Sequence, residues 1–250
     1  MVAESEISAQ KNGRPPVKWR GGRPPMELEK ILEGIFYRLR NAGPWRDFPA
    51  EYGSWRTLYG WYQWFAQRGI MLRIFRLVAK AARGKLRLVD GTFIPVHQCA
   101  SNPRGGAQGQ QMGKTKGGRN TKLMAMVEGQ GLPVALILVP GQAYEGKYVV
   151  ELITQEGSSQ HLIIVGDKAY DDDKLRAKVE ALCHRHCFPT RRNRREDRPM
   201  NRAFYRKRFR VENFFGKLKR WGSTATRRDK LAVHFNSLIA FAAVLEWLRA

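Results

Sequence analysis

The chain has 250 residues, 43% of them apolar, which is enough for one large domain with its own core and a smaller appendage. Its 45 Lys and Arg against 22 Asp and Glu leave a formal charge of +23. That surplus points to a polyanion, and nucleic acid is the commonest one, because each neutralised phosphate releases condensed counterions.

The cations are spread along the whole chain rather than gathered into one amphipathic helix, which argues against a membrane partner. Three cysteines, with no charged-apolar-small leader at the start, point to free thiols in a reducing, cytoplasmic compartment.

In chain order, residues 1–25 read as a basic, poorly ordered arm in which "GRPP" occurs twice, at Gly13 to Pro16 and at Gly22 to Pro25. Proline at this density blocks a helix. Arginine flanked by Gly and Pro suits a narrow DNA minor groove and equally suits a solvated linker. Residues 26–84 read as a small helical DNA-binding unit. "MELEKILEGIFYRLRNAG" is closed by Gly43 and Pro44, and Ser54 is placed to N-cap the segment "SWRTLYGWYQWFAQRGIMLRIFRLVAKAARG". Helix-turn-helix reading of DNA is open to this unit, while its Trp stripe at helical spacing reads first as core.

At Lys85 the period changes, and residues 85–250 read as a second domain. "KLRLVDGTFIPVHQ", "TKLMAMVEGQGLPVALILVPG" and "SQHLIIVGDKAY" are strand-like runs, and "AYEGKYVVELITQ" and "DDDKLRAKVEALCHR" are helix-like. Strands first, then alternating helix and strand, predict an α/β fold, a mixed sheet flanked by helices. The tail "LAVHFNSLIAFAAVLEWLRA" is interrupted by His234, Asn236 and Glu246 and reads as a buried helix rather than a membrane span.

Two acids leave apolar runs: Asp90 in "LRLVDGT", within or at the end of its strand, and Asp167 in "LIIVGDKAY". A carboxylate at a sheet rim is poorly explained by packing, and an anionic pair there calls for a cation. The plainer alternatives are an Asx turn at Asp90 and a helix cap at Asp167, although Asp171 to Asp173 are better placed to cap.

The third candidate lies in "YRKRFRVENFFGKLKRW", where Glu212 is the single acid among seven Lys or Arg. A solvated carboxylate among salt-bridge partners is the plain reading. At about 100° per residue, however, Tyr205, Arg208, Glu212 and Lys219 share one arc of a helix. A second arc collects Phe204, Val211, Phe214, Phe215, Leu218 and Trp221, and a third collects Arg206, Arg210, Lys217 and Arg220; Lys207 and Phe209 fit none. Glu212 thus borders the apolar stripe and is placed to join Asp90 and Asp167. Oxygen-only ligands favour Mg²⁺, with Mn²⁺ as a substitute, and three carboxylates around divalent ions are what phosphodiester chemistry requires.

The spacing Tyr205, two residues, Arg208, three, Glu212, six, Lys219 is similar to the Tyr-Arg-Glu-Lys signature of bacterial insertion-sequence transposases that use an Asp-Asp-Glu triad. Among these the chain resembles the insertion-sequence-five family, through "GIFYRLRNAGPWRDFPAEYGSW", "VDGTFIPVHQ", "KGGRNTKLMAMV", "PGQAYE" and "GDKAYD". The resemblance runs from about residue 22 to the C-terminus; before "GRPP" the family usually carries a further helix that this sequence does not show.

It implies a ribonuclease-H-like catalytic domain with Asp90, Asp167 and Glu212 as triad and Tyr205, Arg208 and Lys219 as companions. It also implies Mg²⁺-dependent hydrolysis at terminal inverted repeats, transfer of 3′ ends into target DNA, and a homo-oligomer that brings two ends of double-stranded DNA together. A binder without catalysis, or a nuclease without strand transfer, are the competing readings.

"CHRHC", Cys183 to Cys187, crowds its possible ligands into five residues, against zinc, and reads as a helix end running into the strand "CFPT". "GAQGQQMGKTKGGRNTK" lacks phosphate-loop spacing and reads as a flexible basic loop, and "RRNRREDRPMNR" as a strand guide or a solvated loop.

Overall fold

The computed structural model describes residues 26–157, 161–192, 194 and 198–250. The expected basic arm, 1–25, lies outside these residues, as does part of "RRNRREDRPMNR".

Three helices come first: α1 (Leu28–Asn41), α2 (Trp55–Gln67) and α3 (Ile70–Ala79). Ala42, in the left-handed region at φ 56°, ends α1 before Gly43 and Pro44. Ser54 is the N-cap residue of α2, but its side chain makes no capping bond. Gly69, at φ 61°, separates α2 from α3, so the second helical segment is two helices.

The sheet is built from β1 (Leu86–Pro95), β2 (Gly113–Thr115), β3 (Gly118–Glu128), β4 (Pro133–Pro140), β5 (Ile163–Val165) and β6 (Arg185–Cys187). β3 pairs antiparallel with β1 on one edge and with β2 and β4 on the other, while β1, β5 and β6 run parallel to one another. "TKLMAMVEGQGLPVALILVPG" is therefore a hairpin of two strands. The loop "GAQGQQMGKTKGGRNTK" contains a 3-10 turn at Gln108–Gln110 and the β2–β3 hairpin, so it is more ordered than its composition predicts. In "CHRHC" the strand comes earlier than expected, at Arg185–Cys187, after a left-handed Cys183.

The remaining helices are α4 (Gly146–Glu156), α5 (Asp173–Ala181), α6 (Arg202–Arg206), α7 (Phe209–Lys219), α8 (Gly222–Ala225) and α9 (Ala232–Leu248). The segment read as one helix around Glu212 is thus two, α6 and α7, joined at Lys207 and Arg208. Both joint residues keep right-handed helical dihedrals, so the side-chain directions shift little. Val211, Phe214, Phe215, Leu218 and Trp221 are buried as the apolar arc predicts, and Phe209 is exposed.

Period-two alternation sorts the sheet's side chains into two cores. Leu88, Ile94, Leu123, Ala125 and Val127 pack with α1, α2, α3, α7 and α9. Val89, Met124, Met126, Val134 and Val139 pack with α4 and α5 on the other face. The result is a mixed sheet between helical layers, the α/β architecture that the order of strands and helices predicts. Burying both faces explains why these strands read as continuous apolar runs. No helix among the described residues is long and apolar enough to cross a membrane.

Candidate active site

Asp90 sits in the middle of β1, not at its end or in a turn: it pairs with Ala125, and the ladder continues through Gly91 and Thr92 to Pro95. Alternation puts Asp90 and Thr92 on the face that α7 covers and turns Gly91 to the opposite face. The Gly91 N–H donates to Asp90 Oδ1 at 2.8 Å, fixing the carboxylate.

Asp167 follows β5, whose last parallel pair with β1 is Leu88↔Val165. Asp90 and Asp167 each lie two residues beyond that pair, so the parallel register sets the two acids side by side, and their charges interact. Asp167 also accepts from the Ala169 N–H at 2.8 Å, opening the 3-10 turn Lys168–Tyr170. Capping of α5 is done separately by Asp172, which accepts from Lys174 and Leu175.

α7 brings the third acid. Arg208, at the joint between α6 and α7, donates from Nη1 to Asp90 Oδ2 at 2.7 Å and from Nη2 to Glu212 Oε1 at 2.5 Å. One guanidinium therefore spans the first and last acids. Lys219 reaches β1 as well, donating to Thr92 Oγ1 at 2.7 Å. Tyr205 is half-buried against the core, within electrostatic reach of Arg208. Glu212 is half-exposed, facing solvent beside this cluster.

The electrostatics follow from the burial. Asp90 is pushed up to about 6, first by desolvation and then by the charges of Glu145 and Asp167, with the Gly91 N–H and Arg208 pulling the other way. Burial lowers Lys219. Burial opposes the charge on Arg208, yet Asp90 and Glu212 outweigh it and raise its pKa.

Among the described residues no three Asp, Glu, His or Cys side chains are drawn together into a ready metal cage. The donor set nevertheless fits a divalent ion. Its acids are oxygen donors, and a cationic group already stands between Asp90 and Glu212 in the role an ion would take.

The sequence reading missed a fourth acid and its partners. Glu145, just before α4, accepts from the Tyr170 hydroxyl at 2.7 Å and lies 3.1 Å from Lys122 Nζ. All three belong to blocks already noted, "PGQAYE", "GDKAYD" and "KGGRNTKLMAMV", but nothing in their spacing shows that they meet.

The basic block also resolves in part. Arg194 pairs with Asp171 and Asp173, Arg198 with Asp173, and the Arg191 side chain donates to the carbonyls of Lys168 and Ala169. Arg191 thus holds the turn that follows Asp167, and Arg194 and Arg198 hold the acids just beyond it.

Residues 82–247 match the family model described as "Transposase DDE domain", and residues 10–75 match one described as "Putative transposase of IS4/5 family". The chain is similar to the "Putative transposase for insertion sequence element IS6501" of Brucella ovis, 31% identical over 133 residues, which is 52% of this chain and 98% of that one. It is also similar to "Uncharacterized protein y4sN" of Sinorhizobium fredii, 26% identical over 40% of this chain and 74% of the relative. Among solved structures, a piggyBac transposase synaptic complex with hairpin DNA matches with TM-score 0.41 at 11% identity, over 67% of this chain and 48% of that chain. The catalytic domain of Mos1 mariner transposase matches with TM-score 0.30 at 10% identity, over 66% of this chain and 88% of that one.

Proposed function

This chain belongs to the family of transposases with a DDE domain, and from that premise we propose that it cuts DNA at the terminal inverted repeats of an insertion sequence and joins the freed 3′ ends to target DNA. DDE transposases use divalent metals. In this reading Asp90, Asp167 and Glu212 hold Mg²⁺, or Mn²⁺ in its place. When bound, the metal supplies an activated oxygen nucleophile and a stabilised leaving oxygen for in-line displacement at phosphorus.

The protein's own groups do the rest. β1 and the turn after β5 hold Asp90 and Asp167 on rigid backbone. Arg208 balances the charge of Asp90 and Glu212 and is within reach of a phosphate entering between them. Lys219, held against Thr92, offers a second cation on the same side. Tyr205 borders Arg208 and helps to fix its position.

The exposed Arg206, Lys217 and Arg220 on the outer side of α6 and α7 suit the sugar-phosphate backbone. Residues 26–84 we assign to recognition of the repeats, and 85–250 to catalysis. The partners are double-stranded DNA, as element ends and as target, and further copies of this chain, because two ends must be joined at once. The compartment is the bacterial cytoplasm.

The observation that carries this reading is the Arg208 bridge: Arg208 reaches an acid of β1 that lies 118 residues earlier in the chain and joins it to Glu212 of α7. The test is titration of Mn²⁺ or Mg²⁺ into wild type and Glu212→Gln, with nicking of duplex DNA bearing the flanking repeats. Binding and boundary nicking by the wild type, with neither in the variant, are expected. Equal DNA binding with no nicking by either protein would reduce the chain to a DNA-binding remnant. Nicking without joined products would make it a nuclease.

A further inference from the structure

We propose that Glu145 is a positioning residue of the metal site, holding Asp90 and Asp167 in register from the opposite face of the sheet; this rests on the proposed function above. Its carboxylate meets the two elements that carry those acids, β1 and the turn after β5, and the strand β3 that pairs with β1. Through Oε2 it accepts from the Tyr170 hydroxyl at 2.7 Å, and Tyr170 closes the 3-10 turn that Asp167 opens. Through Oε1 it lies 3.1 Å from Lys122 Nζ, on the strand that pairs with β1. Lys122 is only 5% exposed, also donates to the Ala143 carbonyl, and sits over the Phe93 ring of β1.

The third contact is with β1 itself. A Cβ on Gly91 would stand 2.9 Å from Glu145 Cδ and 3.0 Å from Oε1, so the carboxylate fills the space that the missing side chain leaves. The Gly91 N–H is the group that fixes Asp90 Oδ1. Glu145 therefore bears on the residue that orients one metal ligand while gripping the turn that orients the other.

Stability alone does not account for this arrangement. The Glu145 charge opposes that of Asp90, and a buried or half-buried ion pair is seldom more stabilising than apolar residues of the same volume. Groups that hold metal ligands in place have a recognised effect of another kind, since losing them weakens metal binding by about 10- to 100-fold. The arrangement also accounts for four of the sequence blocks at once: "VDGT", "KGGRNTKLMAMV", "PGQAYE" and "GDKAYD" supply Gly91, Lys122, Glu145 and Tyr170.

The test is calorimetric titration of Mn²⁺ alone into the full chain, comparing wild type, Glu145→Gln, Tyr170→Phe and Asp90→Asn, with a thermal melt of each in chelator. The expected result is that Asp90→Asn abolishes binding, and that Glu145→Gln and Tyr170→Phe each weaken it by about 10-fold or more while melting cooperatively. A role limited to stability would shift the melts and leave the affinity alone. Wild-type affinity in both variants, with binding still lost in Asp90→Asn, would overturn the role of Glu145 and leave the proposed function standing. No Asp90-dependent binding in the wild type would overturn the metal site itself and this inference with it. Should Glu145→Gln fail to fold, Tyr170→Phe, which removes one hydroxyl and keeps the carboxylate, decides the question.

Discussion

Replacing Asp90 with Asn should make the metal-free protein more stable while removing a ligand of the proposed metal site. Asp90 is held at about 6 in the fold against an ordinary 3.8, because burial and two neighbouring acids oppose its charge. A shift of about two units at 1.36 kcal/mol each is about 3 kcal/mol against the folded state once the group ionises. The sign follows from the proton count. Between about pH 4 and 6 the folded protein binds more protons at this site than the unfolded chain does, so stability falls as pH rises through that window. Below about pH 4 both forms are protonated and the difference vanishes. Asparagine keeps the shape and cannot ionise, but its amide is a weaker acceptor for Arg208, which costs about 1 kcal/mol.

The net gain is about 1–2 kcal/mol at pH 8, or about 2–8 °C for a chain of this length. Melting curves of wild type and Asp90→Asn in chelator, at pH 8 and again near pH 4, measure it. A variant that melts no higher than wild type at pH 8, or a difference that is the same at both pH values, would refute the reasoning.

Further expectations follow from single contacts. Gly91→Ala places a methyl 2.8 Å from Met124 Sδ and 2.9 Å from Glu145 Cδ; the thioether can yield but the doubly held carboxylate cannot, so a loss of about 1–3 kcal/mol is expected in denaturant melts. Lys219→Ala removes the cation bonded to Thr92, and the slope of log affinity for duplex DNA against log salt should fall by about 1 in fluorescence titrations. Arg227 is fully buried and donates to Gln110, Thr121, Asp229 and Lys230; Arg227→Met leaves those acceptors unpaired and should cost about 3 kcal/mol or more, seen as a lowered urea midpoint.

Much of the fold was legible because its signals are local. The change from helical to strand period at Lys85 falls one residue before β1 begins at Leu86, and the apolar arc of α7 is buried as its spacing requires. What misled was the absence of a local mark. Nothing in "YRKRFRVE" announces the joint at Lys207 and Arg208, which contains neither Gly nor Pro. Most side chains still point as the unbroken helix predicts, because both joint residues stay in the right-handed region; Arg210, placed on the outer basic arc, instead donates to the Gly129 carbonyl. The sequence leaves Asp90 either within its strand or at its end, because "DGT" resembles a turn. The strand runs on because Gly91 and Thr92 have partners in Met124 and Leu123, and pairing with β3 cannot be seen in β1 alone.

The site divides in the same way. An acid leaving an apolar run is visible in one segment, which is why Asp90 and Asp167 stand out, and Glu212 stands out among cations. Glu145 does not, because its three contacts come from β1, β3 and the turn after β5, elements that only the sheet's order brings together.

Burial removes bases and acids in nearly equal number, and among the described residues Arg38, Arg87, Lys122, Arg176 and Arg227 are buried. Glu128, Asp171, Asp229 and Glu246 are buried, and Asp171 is further occupied by Arg176 and Arg194. With four acids and five bases buried, the surplus stays close to +23 but is carried by fewer surface groups and by a larger ratio of bases to acids. A surface of that kind attracts any phosphate backbone without regard to sequence. In the proposed function, selectivity for particular ends must therefore come from contacts that charge does not supply, and the acids proposed to hold the metal near β1 would limit chemistry to the place where Arg208 and Lys219 offset their repulsion.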